Sequence, residues 1–334
     1  MQINESPRER LTPVQFRLLL QAAFTLFNIY VGIRFAAFLS WALGKSEVFV
    51  AKPGAVEGFL PISALLGLRQ WLSTAEWDPV HPAGLTIFLA IVTMAFLFRK
   101  GFCAYICPVG FISNLIDRAG RRLKLSRVPR PWADYPLTGI KYLGVGFFSY
   151  TVFISMDLRS VQSFLTGPYN MVADAKMMAF FTDPSTTSLI VVTAIVLLSL
   201  VIRNAWCRYL CPYGALLGLF SWLSPTAVTR DEERCIGCGK CTKGCPGAIK
   251  VEEKKIVRSP ECIGCMECVG HCPVDDCLTV KAAGRFRVHW LTVGICSVAV
   301  LLLFWGWAKL TGHWDSEMPP FMFKRMYSMF LGAV

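Results

Sequence analysis

Histidine is scarce in this 334-residue chain, and the four present (His81, His271, His289 and His313) all lie outside the middle of its apolar runs. A membrane haem held between two histidines is therefore not expected. No Cys-x-x-Cys-His occurs, which excludes an attached c-type haem. Neither a G-x-G-x-x-G run nor a Walker loop is present, so nicotinamide and ATP sites have no support. Charge is sparse as well: 17% of residues are charged against 54% apolar. That balance excludes a disordered chain and argues against an ordinary soluble enzyme.

The apolar residues are gathered into five long runs, at 16–43, 83–98, 137–156, 188–202 and 288–307. A hydrocarbon core of about 30 Å needs about 20 helical residues, so the second and fourth runs are expected to borrow flanking residues. Residues 1–10 are polar and mixed in charge, and no small-residue cleavage site follows the first run, so no cleavable signal peptide is expected. The net charge of +12 invites a nucleic-acid reading, but no nucleic-acid-binding motif accompanies it. With the N-terminus inside, the segments 1–17, 99–136 and 203–287 all fall on the inner face and hold 24 of the 34 Lys and Arg residues. This is the positive-inside bias, and it sends the C-terminus outside.

Thirteen of the fourteen cysteines fall on that inner face or its boundary, and only Cys296 lies mid-span. A reducing compartment leaves such thiols free to ligate metal. Two runs carry most of them: Cys235-Ile-Gly-Cys238-Gly-Lys-Cys241-Thr-Lys-Gly-Cys245-Pro246 and, 27 residues later, Cys262-Ile-Gly-Cys265-Met-Glu-Cys268-Val-Gly-His-Cys272-Pro273. Each is the bacterial ferredoxin spacing C-x2-C-x2-C-x3-C-P, in which the fourth cysteine crosses to the other cluster. The spacing assigns Cys235, Cys238, Cys241 and Cys272 to one [4Fe-4S] cluster, and Cys262, Cys265, Cys268 and Cys245 to a second. Two zinc knuckles are the competing reading, disfavoured by two complete tandem copies. Pro246 and Pro273 suit first helical positions, from which backbone amides would face an anionic cluster. Cys277 is left over, as a free buried thiol or an additional ligand.

A second repeat is shorter. Cys103-Ala-Tyr-Ile-Cys107-Pro108 and Cys207-Arg-Tyr-Leu-Cys211-Pro212 sit 104 residues apart, each just after an apolar run. Both copies leave the membrane in the same direction, as in a parallel internal repeat, and an axis along the membrane normal would gather the four thiols. Three readings stay open: packing cysteines, a shared metal or third iron–sulfur cluster, and transient thiol or copper handling. Four thiolates also suit zinc or copper. The amphipathic segments 109–125 and 213–223 that follow are expected along the inner interface.

Paired C-x3-C-P motifs after membrane runs, followed by a two-cluster ferredoxin module, resemble the NapH/NosR/CcoG group of membrane ferredoxin-type proteins. The stretches 56–66 and His81-Pro82-Ala83-Gly84 are similar to the NosR-type polyferredoxin core. The resemblance covers about 16 to 307, in a short form without the flavin-binding domain of NosR or the C-terminal periplasmic domain of CcoG. It implies an all-α bundle of about five transmembrane helices with a small α+β ferredoxin module, in a bacterial inner membrane. The expected division is a membrane domain at 1–224, a cytoplasmic module at 225–285, a last transmembrane helix at 286–310 and a periplasmic tail at 311–334. The implied activity is electron transfer between cytoplasmic clusters and the quinone pool, a membrane redox subunit, or a periplasmic redox enzyme or cytochrome. A CcoG-like cupric reductase or assembly factor and a redox sensor are the alternatives.

Two charges fall within apolar runs. Arg34 is a candidate for holding a quinone carbonyl, an anionic cofactor or a partner carboxylate, because an intramembrane charge is functional by default; a structural pair with an acid such as Asp157 is the simpler expectation. Lys141 is near enough to the inner face to snorkel. His81 is a candidate proton acceptor or a plain helix-start residue, and the Gly-Pro-Tyr-Asn stretch 167–170 reads as a turn.

Overall fold

The computed structural model describes residues 11–331; the polar residues 1–10 and the last residues of the expected tail lie outside that range. The helices are α1 (Pro13–Ala42), α2 (Pro61–Thr74), α3 (Pro82–Phe98), α4 (Gly101–Tyr105), α5 (Pro108–Arg122), α6 (Pro131–Tyr150), α7 (Leu158–Leu165), α8 (Pro168–Met171), α9 (Ala173–Thr182), α10 (Thr186–Val201), α11 (Pro212–Trp222), α12 (Lys240–Gly244), α13 (Glu267–Gly270), α14 (Trp290–Thr311) and α15 (Pro320–Leu331). Eight of them open on proline, whose fixed φ suits a first turn and whose missing N–H is not needed there. Residues 167–170, read as a turn, contain the start of one of these, α8.

Among the described residues, three helices are long and apolar enough to cross a membrane: Pro13–Ala42, Pro131–Ser155 and Trp290–Thr311. Rows of large apolar side chains stay exposed on α1 (Leu19, Leu26, Ile29 and Ile33), which suits lipid rather than water. The second and fourth expected runs form shorter helices. α3 is 17 residues, opened by Pro82 and ended where Arg99 takes a left-handed φ of 60°, so it borrows nothing from its flanks. α10 is 16 residues and joins α9 through a 72° bend. Pro184 accounts for the bend: it has no amide N–H and it disfavours helix at the residue before it.

Four antiparallel strands, β1 (Thr226–Arg230), β2 (Ile256–Val257), β3 (Leu278–Ala282) and β4 (Phe286–Val288), form one sheet in the order β2-β1-β3-β4. Val228 pairs with both Val257 and Val280, which fixes the register at the sheet centre.

The chain divides into two compact units. The first comprises Met1–Thr25, Ile91–Leu143 and Thr193–Val300 and includes the sheet. In it α5 is amphipathic with its polar stripe turned inward: Ser113, Asn114, Asp117 and Gly120 are buried, while Val109, Ile112 and Leu115 are exposed. Gly120 leaves no room for a Cβ, which would stand 2.3 Å from the Leu200 carbonyl oxygen. The second unit comprises Leu26–Ala90, Gly144–Val192 and Leu301–Val334. Its core joins Val31, Phe35 and Phe38 of α1 to Val172, Ala175, Phe323 and Tyr327. Phe38 meets the rings of Phe323 and Tyr327 edge-on at 5.8 and 5.9 Å.

Candidate iron–sulfur sites

Two cavities of similar size lie against the sheet in the first unit. One encloses about 340 Å³ and is lined by Cys235, Cys238, Cys241 and Cys272, with Cys277 beside them. The other encloses about 370 Å³ and is lined by Cys245, Cys262, Cys265 and Cys268. The backbone repeats around them. Gly237 and Gly264 take left-handed φ of 67° and 71° at matching positions, as do Gly239 and Met266 at 66° and 59°. Each pair turns the chain back on itself so that three cysteines face one void. Four thiols around voids of nearly equal size fit two copies of one thiolate-bound group, the donor set of a [4Fe-4S] cubane.

Pro246 and Pro273 do not begin helices. The chain turns after Cys245 instead, with Ala248 N–H donating to the Cys245 carbonyl at 3.0 Å. Gly247 is pressed against Glu261, whose carbonyl oxygen would stand 2.8 Å from an added Cβ, so the segment has no room for another helical turn. The amides expected at these prolines are therefore not supplied by helix starts.

The cavities are open to about the same degree, but their cysteines are not exposed alike. Cys238 is exposed, and the Gly237 N–H holds the Cys235 thiol below its ordinary pKa. Cys265 is buried, and burial raises its pKa; burial also pushes Cys245 up to about 11. The backbone around the second cavity is bonded by the segments that carry the C-x3-C-P motifs. Tyr105 Oη donates to the Gly264 carbonyl at 3.2 Å, and Arg99 Nη2 donates to the Ser259 carbonyl at 2.8 Å. Gly264 is a required glycine: an added Cβ would meet the Phe98 carbonyl oxygen at 2.9 Å. From the second copy, Arg203 reaches the Cys245 carbonyl at 3.3 Å, Asn204 that of Pro246 at 3.0 Å, and Arg208 that of Gly247 at 2.9 Å. Arg17 Nη1 and Arg118 Nη2 both grip Glu267 Oε1, at 2.7 and 2.8 Å.

Cys103, Cys107, Cys207 and Cys211 lie close enough for their charges to act on one another. Cys107 and Cys211 cap α5 and α11 in the same way, their sulfurs accepting from Gly110 N at 3.4 Å and Gly214 N at 3.3 Å. Cys207 sits in a π-turn, Trp206–Leu210, a local widening often found at functional positions. Burial pushes Cys103 up to about 12 and Cys207 to about 11, opposed by the Lys100 and Lys141 ammonium groups. Among the described residues, no group of three or more His, Cys, Asp or Glu side chains is gathered tightly enough to hold a single metal ion.

Lys141 does not snorkel. It is buried, and its ammonium bonds both Glu261 carboxylate oxygens at 2.7 Å. Arg34 lies exposed on α1 and, among the described residues, makes no ion pair. The expected pairing with Asp157 is not formed, because Asp157 caps α7 through the Ser160 N–H at 3.1 Å.

The second unit holds a site that the sequence did not reveal. Lys52 Nζ sits 3.0 Å from Glu57 Oε1, 2.8 Å from Asp174 Oδ2 and 3.3 Å from His81 Nδ1, all buried. Tyr327 Oη donates to Asp174 Oδ1 at 2.7 Å, and the His81 Nδ1–Glu57 Oε1 distance is 3.3 Å. His81 Nε2 faces the Asn170 carbonyl at 2.7 Å, and since a carbonyl only accepts, Nε2 carries a proton. Nδ1 is then the exchangeable position, accepting from Lys52 when bare and donating to Glu57 when protonated. A cluster of acids and bases in segments expected outside was the available signal, but no spacing links positions this far apart.

Comparison with known proteins agrees with this architecture. A family described as "4Fe-4S binding domain" matches residues 80–126 and 185–230, the two segments bearing the C-x3-C-P motifs. A second, "4Fe-4S dicluster domain", matches 228–280. The putative electron transport protein YccM of Escherichia coli (strain K12) is 40% identical over 315 residues, covering 92% of this chain and 88% of that protein. The ferredoxin-type protein NapH of the same organism is 24% identical over 48% of this chain and 50% of its own length. The regulatory protein NosR of Stutzerimonas stutzeri is 24% identical over 62% of this chain but only 27% of its own. No solved structure matches the chain.

Proposed function

The chain belongs to the NapH/NosR-type family of ferredoxin-type proteins, and on that premise we propose that it carries electrons between the cytoplasm and the membrane through three cysteine-held centres. Cys235, Cys238, Cys241 and Cys272 hold the first cluster, Cys245, Cys262, Cys265 and Cys268 the second, and Cys103, Cys107, Cys207 and Cys211 a third centre. Iron–sulfur clusters, when bound, supply one-electron carriage at potentials set by burial and hydrogen bonding. The carrying observation is the unequal exposure of the cysteines: Cys238 is exposed in the first set, while residues flanking both C-x3-C-P motifs bond the backbone around the second. Two residue bridges join the second cavity to the third group, Tyr105 on Gly264 and Lys141 on Glu261. The first cavity, with Cys238 exposed, is the docking point for a soluble one-electron partner, and the third centre faces a quinone or a periplasmic redox partner.

The basic-residue bias supports an inner-membrane chain with the module (225–285) cytoplasmic, five spans and a periplasmic tail. The paired matches at 80–126 and 185–230 support a parallel internal repeat. Iron and acid-labile sulfide per purified chain, with low-temperature EPR during stepwise reduction, test the reading. Loaded protein is expected to exceed the roughly 8 irons of two cubanes, and the combined Cys103→Ser, Cys107→Ser, Cys207→Ser and Cys211→Ser variant to return to that figure. Wild-type protein with only two cubanes, unaltered by the four changes, would remove the third centre. A reporter at the C-terminus active only in the cytoplasm would remove the five-span topology.

A further inference from the structure

The two ferredoxin cavities differ in their number of cysteines. Among the described residues, five line the first and four the second. The extra one is Cys277, five residues after Cys272; five residues after Cys245, the matching position is the exposed Lys250. Cys277 is 2% exposed and lines the same cavity as Cys235 and Cys272. Its protein acceptor is weak, the Asp231 carbonyl at 3.8 Å.

The two neighbouring sulfurs are anchored differently. Cys277 sits at the entry to β3, where Asp231 N donates to its carbonyl at 2.8 Å and Arg230 pairs with Leu278. Cys235 belongs to a surface loop whose residues Arg234, Ile236 and Gly237 are all exposed. Gly237 would meet nothing within 4 Å even with an added Cβ. The more loosely held ligand therefore has a rigid thiol behind it.

We propose that Cys277 is a reserve ligand of the first cluster, taking over the iron held by Cys235 when that ligand is lost. The inference rests on the reading that this cavity holds a [4Fe-4S] cluster. The exchange is a ligand substitution that moves no electrons. The iron bond to the Cys235 sulfur breaks, a bond from iron to the Cys277 sulfur forms, and the Cys277 thiol proton passes to the departing Cys235 thiolate. Four thiolates surround the cluster before and after, so its charge is unchanged. The second cavity, with four cysteines, has no such reserve.

The test counts iron and acid-labile sulfide and records EPR of reduced full-length protein. Cys235→Ala is expected to keep wild-type iron, with the first-cluster signal altered in shape. Cys262→Ala, its counterpart in the second motif, is expected to lose up to about four irons. Cys277→Ala and Cys277→Ser alone are expected to keep wild-type iron, which separates ligation from packing. Cys235→Ala combined with either Cys277 change is expected to lose the first cluster as Cys262→Ala loses the second. Equal iron loss in Cys235→Ala and Cys262→Ala overturns the reserve role while leaving the cluster reading intact. Wild-type protein without clusters overturns that reading itself.

Discussion

All fourteen cysteines lie in the first unit and none in the second. The second holds instead a buried set of acids and bases around Lys52. The contrast is one of solvation. A thiol tolerates partial burial as a neutral group and waits for a metal to take its proton. An ionised carboxylate is costly to bury unpaired, and Glu57 and Asp174 have Lys52 against both of them, with His81 against Glu57. One unit is arranged to accept charge from outside, the other to balance its own.

Four experiments bear on that division. The largest effect is expected from Lys52→Met, which strands two buried carboxylates and should cost about 3–5 kcal/mol. Denaturant unfolding in detergent would measure it, with iron per folded chain unchanged; a parallel loss of iron would break the comparison. Arg17→Met comes next. Glu267 keeps Arg118, so the loss should be about 2–3 kcal/mol, at the low end for one partner of a buried pair. The EPR signal of the second cluster should disappear first on heating, and simultaneous loss of both signals would argue against separate cover. Asp157→Ala removes the α7 cap and should cost about 1 kcal/mol, read as a small fall in the unfolding midpoint with both cluster signals intact.

The smallest effect is that of pH at His81. Burial and the Lys52 ammonium push its pKa down, but the Glu57 and Asp174 carboxylates outweigh them and hold it above its ordinary value. A raised folded-state pKa gives stability that is complete below the ordinary value near 6.5 and is lost as pH rises through the folded-state value. The unfolding midpoint should therefore fall from pH 6 towards alkaline pH in the wild type, and less steeply in His81→Gln. Equal slopes would show that the network titrates elsewhere.

That the first three cysteines of each motif share a cavity was legible in their short spacing, whereas the crossing of Cys245 and Cys272 is long-range and was read from the ferredoxin pattern. The proline-started helices were legible from local sequence too, and Pro108 and Pro212 open α5 and α11. Pro246 and Pro273 misled, since the chain turns after each of them and forms no helix there. Lys141 was taken for a surface-seeking lysine because its partner Glu261 lies 120 residues away. The Lys52 network was hidden for the same reason, Asp174 and Tyr327 being remote in the chain from Lys52. Long-range electrostatic pairing leaves no periodic trace.

The cover over the second cavity also has a consequence for biosynthesis. A ribosome makes Arg17, Arg99 and Tyr105 well before it reaches Cys262, Cys265 and Cys268. The lid is thus made before the chamber it closes. Once Arg17 has gripped Glu267 and Tyr105 has reached Gly264, Cys265 is buried. The maturation machinery therefore has a limited window in which to deliver iron and sulfide, between synthesis of the second motif and its docking. A version of residues 225–285 expressed without its neighbours would be easier to load and less able to keep what it had received.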